Sequence, residues 1–126
     1  MEGKVPRNER RAAGHQGEDV AAGYLRGLGW RIVARNLYFR VSEVDIWAHD
    51  GRQWVVVEVR SRWRGCSEQA LASVTRTKQR RLALAASLLL QREGDPRASV
   101  RFDVLVVDLS RRAVTIHCRG AFEGGG

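Results

Sequence analysis

A turn signal at the centre of the chain limits the folds open to it more than any other feature. His49-Asp50-Gly51 separates two runs of alternating character, Val41 to Ala48 and Gln53 to Arg60. Asp-Gly between such runs is among the strongest short-range cues for a β-hairpin. With Asp50 and Gly51 as a two-residue loop, His49 faces Arg52, and the alternation predicts the remaining pairs. Val44 falls opposite Val57 and Ile46 opposite Val55, which makes one apolar face. The other face sets Glu43 against Glu58, Asp45 against Val56, Trp47 against Trp54 and Val41 against Arg60. A slip of one residue would spoil both faces. Like charges opposed across a ladder destabilise it, so three carboxylates on one face ask for a cation or a proton.

The bulk of the chain points to a folded protein with a polyanionic partner. Its 126 residues suffice for one domain with a modest core. It carries 22 basic against 14 acidic residues, a net +8, and the basic set is 20 Arg with Lys4 and Lys78. A biased genome exchanges Lys for Arg but adds no charge, so the excess itself implies nucleic acid as partner. An anionic membrane is the weaker alternative, because no stretch reads as a basic amphipathic anchor. Cys66 and Cys118 stand far apart with no Cys/His spacing, so neither a disulfide framework nor zinc is suggested, and the cytoplasm is the expected location. Met1 to Arg11 lacks the apolar core of a signal peptide. Leu82 to Leu90 is too short to span a membrane and reads as a buried helix.

Along the chain, residues 1–14 are charged and poor in large apolar groups, which predicts a disordered basic arm. Val20, Ala21, Tyr24, Leu25 and Leu28 recur at helical spacing from His15, and Gly27 and Gly29 mark the end. Arg31 to Asn36 predicts a short strand, followed by the two hairpin strands. A second helix begins between Ser67 and Thr77 and runs to about Arg92, stopped by Gly94 and Pro96. Val100 to Asp108 and Ala113 to Cys118 complete the strands, and residues 119–126 read as a disordered glycine-rich tail. The order α-β-β-β-α-β-β predicts a single α/β domain over residues 15–118, bordering on α+β, with a mixed sheet flanked by helices.

Asp45 on one strand and Glu58-Val59-Arg60 on the next resemble the PD-(D/E)xK nuclease signature, an Asp followed by an acidic-x-Lys triplet. More closely, the chain resembles the YraN-like family of bacterial proteins, whose architecture is similar to Holliday-junction resolvases. The fragments that carry this resemblance run from about Gly14 to Asp108. They are Gly17-Glu18, Ala34-Arg35-Asn36, Glu43-Val44-Asp45, Val57 to Arg62, Lys78 with Arg81-Leu82, and Arg101-Phe102-Asp103.

The resemblance implies a restriction-endonuclease-like fold and a Mg²⁺ or Mn²⁺ site for phosphodiester hydrolysis. One or two such ions activate water and offset charge at phosphorus, and Mg²⁺ needs few carboxylates because it keeps several waters. Asp45 and Glu58, diagonal across the predicted hairpin, would hold the ion. The backbone carbonyl of Val59 and Glu18 from the first helix would join them. Arg60 departs from the signature: an arginine stays protonated and cannot serve as a base, though it binds phosphate bidentately. Ser42 departs from the Gly usual before Glu-x-Asp. Lys78 on the second helix is the candidate to take over the lysine's role. Two readings stay open, a metal-dependent endonuclease for branched or single-stranded DNA and a nuclease-fold module that binds DNA or RNA without cutting. Analogy with resolvases adds a homodimer to the expectations.

The remaining residues divide by their surroundings. Arg62-Trp63-Arg64 leaves the acidic strand as a basic loop with one aromatic, suited to phosphate contact and base stacking. Arg76, Lys78 and Arg80 cluster near a helix N-terminus, a second anion-favouring feature. Trp47 and Trp54 are expected to pack under a helix, and Asp103 to pair with a neighbouring arginine. Glu43 fits a salt bridge as well as a site, and Glu18 is explained equally by the helix dipole. His15, His49 and His117 lack ligand spacing and receive no role.

Overall fold

The computed structural model describes residues 7–63 and 67–123. Eight elements follow in order: α1 (Arg7–Gly27), β1 (Arg31–Tyr38), β2 (Glu43–His49), β3 (Trp54–Arg62), α2 (Ser67–Ala72), α3 (Arg76–Arg92), β4 (Val100–Asp108) and β5 (Ala113–Phe122). The five strands form one mixed sheet in the order β1-β2-β3-β4-β5. Every neighbouring pair is antiparallel except β3 with β4, which run parallel. This is the mixed sheet flanked by helices that the element order predicts.

Both faces of the sheet are covered. On one, Ala21, Ala22 and Leu25 of α1 pack on Ile46, Ala48, Val55, Val57, Leu105 and Val107. On the other, Leu82, Ala85, Ala86 and Leu89 of α3 pack on Val44, Trp47, Val56 and Phe102. Burial on two sides explains why Val55-Val56-Val57 and Val104 to Val107 are continuous apolar runs rather than alternating ones. Each fully buried Leu or Val contributes roughly 1.5–3 kcal/mol of transfer free energy. No helix among the described residues is long and apolar enough to cross a membrane.

The hairpin has a different register from the one predicted. His49 pairs with Trp54, Ala48 with Val55, Trp47 with Val56 and Ile46 with Val57. The loop is therefore Asp50 to Gln53, closed by Asp50 N–H donating to the Gln53 carbonyl at 3.1 Å. The Asp50 carboxylate accepts from the Arg52 and Gln53 N–H groups as well, a local turn that outcompetes the two-residue loop. Because the shift is even, most side chains keep their predicted faces. Val44 does not: it joins the α3-side core while Ile46 joins the α1 side, so the alternation breaks at Asp45. Trp47 and Trp54 are diagonal rather than opposed. Their rings stack at 4.9 Å and 5°, beneath α3 as expected.

Three boundaries also move. The first helix starts at Arg7 rather than His15, since Arg, Glu and Ala form helix without an apolar stripe to reveal it. The final strand runs to Phe122, beyond Cys118; Gly120 adopts φ 59° there and donates its N–H to Asp103 at 3.0 Å. The second helical region is two helices. Thr75 caps α3, its hydroxyl accepting from Lys78 N–H at 3.2 Å, and so fixes where Lys78 emerges. Gly94, at φ 73°, ends α3, and the Asp95 N–H returns to the Leu90 carbonyl at 2.9 Å.

Candidate active site

The β2–β3 ladder stops at Ile46 and Val57. One step further, where the next backbone pair would form, Val59 N–H donates to Asp45 Oδ2 at 2.9 Å. The carboxylate thus takes the place of a strand carbonyl, and the two strands part there. β1 stays paired with β2 as far as Tyr38 and Glu43, and β3 with β4 as far as Arg62 and Asp108. Asp45 is half-buried at this divergence. Continuing the observed register sets it beside Glu58 rather than diagonal to it.

Glu58 is 1 % exposed. Arg60 Nη1 lies 3.2 Å and Lys78 Nζ 3.4 Å from the same oxygen, Oε2. The other oxygen, Oε1, is buried with no hydrogen-bond partner. Burial first, then the charge of Asp45 and a proton shared with it, raise the Glu58 pKa to about 8 against the lowering by Lys78 and Arg60. Arg60 is held in addition by its Nε–H to Ser73 Oγ at 2.8 Å, and Ser73 Oγ–H donates to the Ala70 carbonyl. A buried acid beside a second acid, reached by two cations at one oxygen, leaves room for further positive charge at the other.

Glu18 enters from α1. It is 8 % exposed, its pKa is raised to about 7 by burial and then by Asp45, and its Oε1 also lacks a hydrogen-bond partner. Gly17 lets the helix come this close: a methyl group there would strike Ser61 on β3. Arg35 stands 4.0 Å from Glu18 and 2.7 Å from Asp19. Asn36, with φ 54°, turns a hydrogen bond onto the Glu18 carboxylate. In the sequence Arg35 and Asn36 stand only as part of the Ala34-Arg35-Asn36 fragment, with no role of their own. Asparagine's tolerance of left-handed backbone was the available signal.

The remaining candidates are dispersed. Arg62 is half-buried, with Nη1 on the Ser61 carbonyl at 2.9 Å, and Trp63 is exposed. Arg76 and Arg80 are exposed on α3, Glu43 is exposed at the start of β2, and Arg64 and Cys66 lie outside the described residues. Lys78 alone of the α3 group reaches the acids.

Asp103, as expected, pairs with an arginine, and does more. It accepts from Arg101 at 2.8 and 3.0 Å, from Gly120 N–H, and from His117 at 2.9 Å. His117, given no role from sequence, links this acid to the Tyr24 hydroxyl at 3.0 Å.

Hard oxygen donors without partners suit a hard divalent cation. Two buried carboxylate oxygens of that kind, on Glu18 and Glu58, flank Asp45. Among the described residues no three His, Cys, Asp or Glu side chains form a metal-holding group, so any cation here would have at most two carboxylates from the chain.

A family model described as uncharacterised protein family UPF0102 matches residues 17–107, which include Glu18, Asp45, Glu58 and Lys78. A UPF0102 protein of Symbiobacterium thermophilum is 45% identical over 98 residues, covering 78% of this chain and 83% of that protein. One from Mycolicibacterium vanbaalenii is 40% identical over 113 residues, covering 88% and 93%. Among solved structures, an FdxN element excision controlling factor protein from Anabaena variabilis aligns at 18% identity with a TM-score of 0.42, covering 82% of this chain and 98% of that one.

Proposed function

The chain belongs to the uncharacterised protein family UPF0102, the YraN-like family its motifs resemble, and from that premise we propose that it is a divalent-metal-dependent endonuclease acting on DNA. The observation that carries this reading is the convergence of Asp45, Glu58 and Lys78 at the point where β2 and β3 part. A buried Glu58 with an oxygen that accepts no hydrogen bond, set beside a second acid, costs folding free energy, and such a pair is what a cation site requires. Asp45 and Glu58 would hold Mg²⁺ or Mn²⁺, with Glu18 and the Val59 carbonyl beside them. When bound, such an ion neutralises charge at the phosphoryl oxygens and supplies an activated water.

The chain's own residues account for the rest. The Val59 N–H fixes the Asp45 carboxylate in one orientation. Lys78 brings an ammonium group, a compact point charge with three donors, in place of the planar guanidinium of Arg60. A lysine on Glu58 would orient a water by donating to it, the role the signature gives its lysine. Arg60, anchored by Ser73 and Glu58, would offer a phosphate a fixed guanidinium.

The alternative is a nuclease-fold module that binds DNA or RNA without cutting, and Arg60 in the lysine position favours it. One experiment separates the two. Junction, flap, single-stranded and duplex DNA are incubated with the protein and Mg²⁺ or Mn²⁺, beside Asp45→Ala, Glu58→Ala, Lys78→Ala and Arg60→Lys. Cleavage should fall at least about a hundredfold in the first three. Binding without cleavage in the wild type selects the module, and cleavage that survives both acid substitutions places the chemistry elsewhere.

A further inference from the structure

Five large apolar side chains are exposed among the described residues, and the two aromatic ones stand at the same end of the sheet. Tyr38, 70 % exposed, ends β1; Trp63, 56 % exposed, follows the end of β3. β1 and β3 both run toward the end where the β2–β3 ladder stops and Asp45 takes the Val59 N–H. The rings therefore flank the divergence, one beyond β2 and the other past the end of β3. The chain's other tryptophans are buried or stacked: Trp30 lies in the α1-side core, and Trp47 and Trp54 lie on each other.

Charge at this end is complementary to a polyanion. Arg40 is exposed next to Tyr38, Arg62 adjoins Trp63, and Arg60 and Lys78 stand between them at the acid pair. Cations alone suffice to hold a duplex by its phosphates. Exposed aromatic faces add something a duplex cannot use, because its bases are already stacked on one another. Unpaired bases can stack on them, and such stacking tolerates any sequence.

We propose that this end of the sheet binds single-stranded nucleic acid, with unpaired bases on Trp63 and Tyr38 and the backbone carried past Asp45 and Glu58 between them. This names the substrate class of the site proposed above and rests on that reading for its biological meaning, but its test needs no cleavage. Oligothymidylate and oligouridylate are titrated without metal into Glu58→Gln protein, with tryptophan fluorescence and anisotropy as readouts, beside a duplex of equal length. Trp63→Ala and Tyr38→Ala are made in the same background, with Trp63→Tyr as the conservative variant.

Single strands should quench the fluorescence, and each Ala variant should weaken single-strand binding about tenfold or more. Duplex binding should change less than about twofold, and Trp63→Tyr should recover most of the loss. Equal thymidylate and uridylate affinity fits stacking, while a preference of a hundredfold or more for either would mean groove or 2′-hydroxyl readout and overturn the proposal. So would Ala variants that bind single strands like the parent, or that lose duplex equally, or a parent that binds no nucleic acid at low salt. A protein that never cleaves but passes this test overturns the nuclease reading alone.

Discussion

Glu58 and Asp103 are both carboxylates at 1 % exposure on adjoining strands, and their surroundings are opposite. Asp103 works against the cost of burial with hydrogen bonds from His117, Arg101 and the Gly120 N–H, and its pKa is lowered. Glu58 has cations on one oxygen, no hydrogen-bond donor on the other and an acid beside it, and its pKa rises to about 8. Burial by itself therefore says little about role. A saturated buried acid is structural, since every acceptor position is spent inside the protein. An unsaturated one is maintained at a cost, and that cost identifies the place where an outside group is expected.

Substitution at the saturated acid should produce the largest effect. Asp103→Ala removes the buried acceptor shared by His117, the Gly120 N–H and Arg101, leaving Arg101 only its 2.7 Å pair with Asp50, and should lose about 3–5 kcal/mol, read from urea unfolding. A loss under about 1 kcal/mol would dissolve the contrast. Glu58→Gln should move the other way. Glu58 and Glu18 have folded pKa values of about 8 and 7, raised from 4.5, so the stability they contribute is complete below pH 4.5 and is lost as pH rises through 7 and 8. Without metal, Glu58→Gln should flatten that decline and exceed the wild type at pH 9 by about 1–4 kcal/mol. Asp103 and Asp50, with lowered values, set the opposite limit, losing their contribution as pH falls below 3.8.

α1 serves both regions, carrying Glu18 to one and Tyr24 to the other. Gly17→Ala pushes the helix off Ser61 and should cost about 1–3 kcal/mol, whereas Gly23→Ala, with open space around it, should be neutral or stabilising. The sharper readout is spectral: Gly17→Ala should leave the His117 ring resonances of the Asp103 network nearly unmoved. Equal disturbance of both ends would mean that the helix shifts as one body and the regions are not separable.

Much of this was legible because side-chain alternation outlives an even register error. Asp45 and Glu58 fall on one face in either register, and Asp50 gives no warning in the sequence that its carboxylate closes a four-residue turn. Lys78 could be suspected as the lysine nearest a helix start, but its approach to Glu58 depends on how α3 lies across the sheet. His117 was dismissed for want of ligand spacing, a test blind to pairing across strands. Tyr38 looked like any strand aromatic; only the termination of the neighbouring ladder gives its exposure a meaning.

The single parallel pair in the sheet has a kinetic consequence. β1, β2 and β3 form by local hairpin closure, which is fast, while β4 joins β3 only after the whole intervening segment with α2 and α3 has been crossed over. Asp45 and Glu58 belong to the early unit, and Lys78 travels on the late crossover. In a chain emerging from the ribosome amino end first, the strands that carry the two acids are made before the helix that carries their lysine.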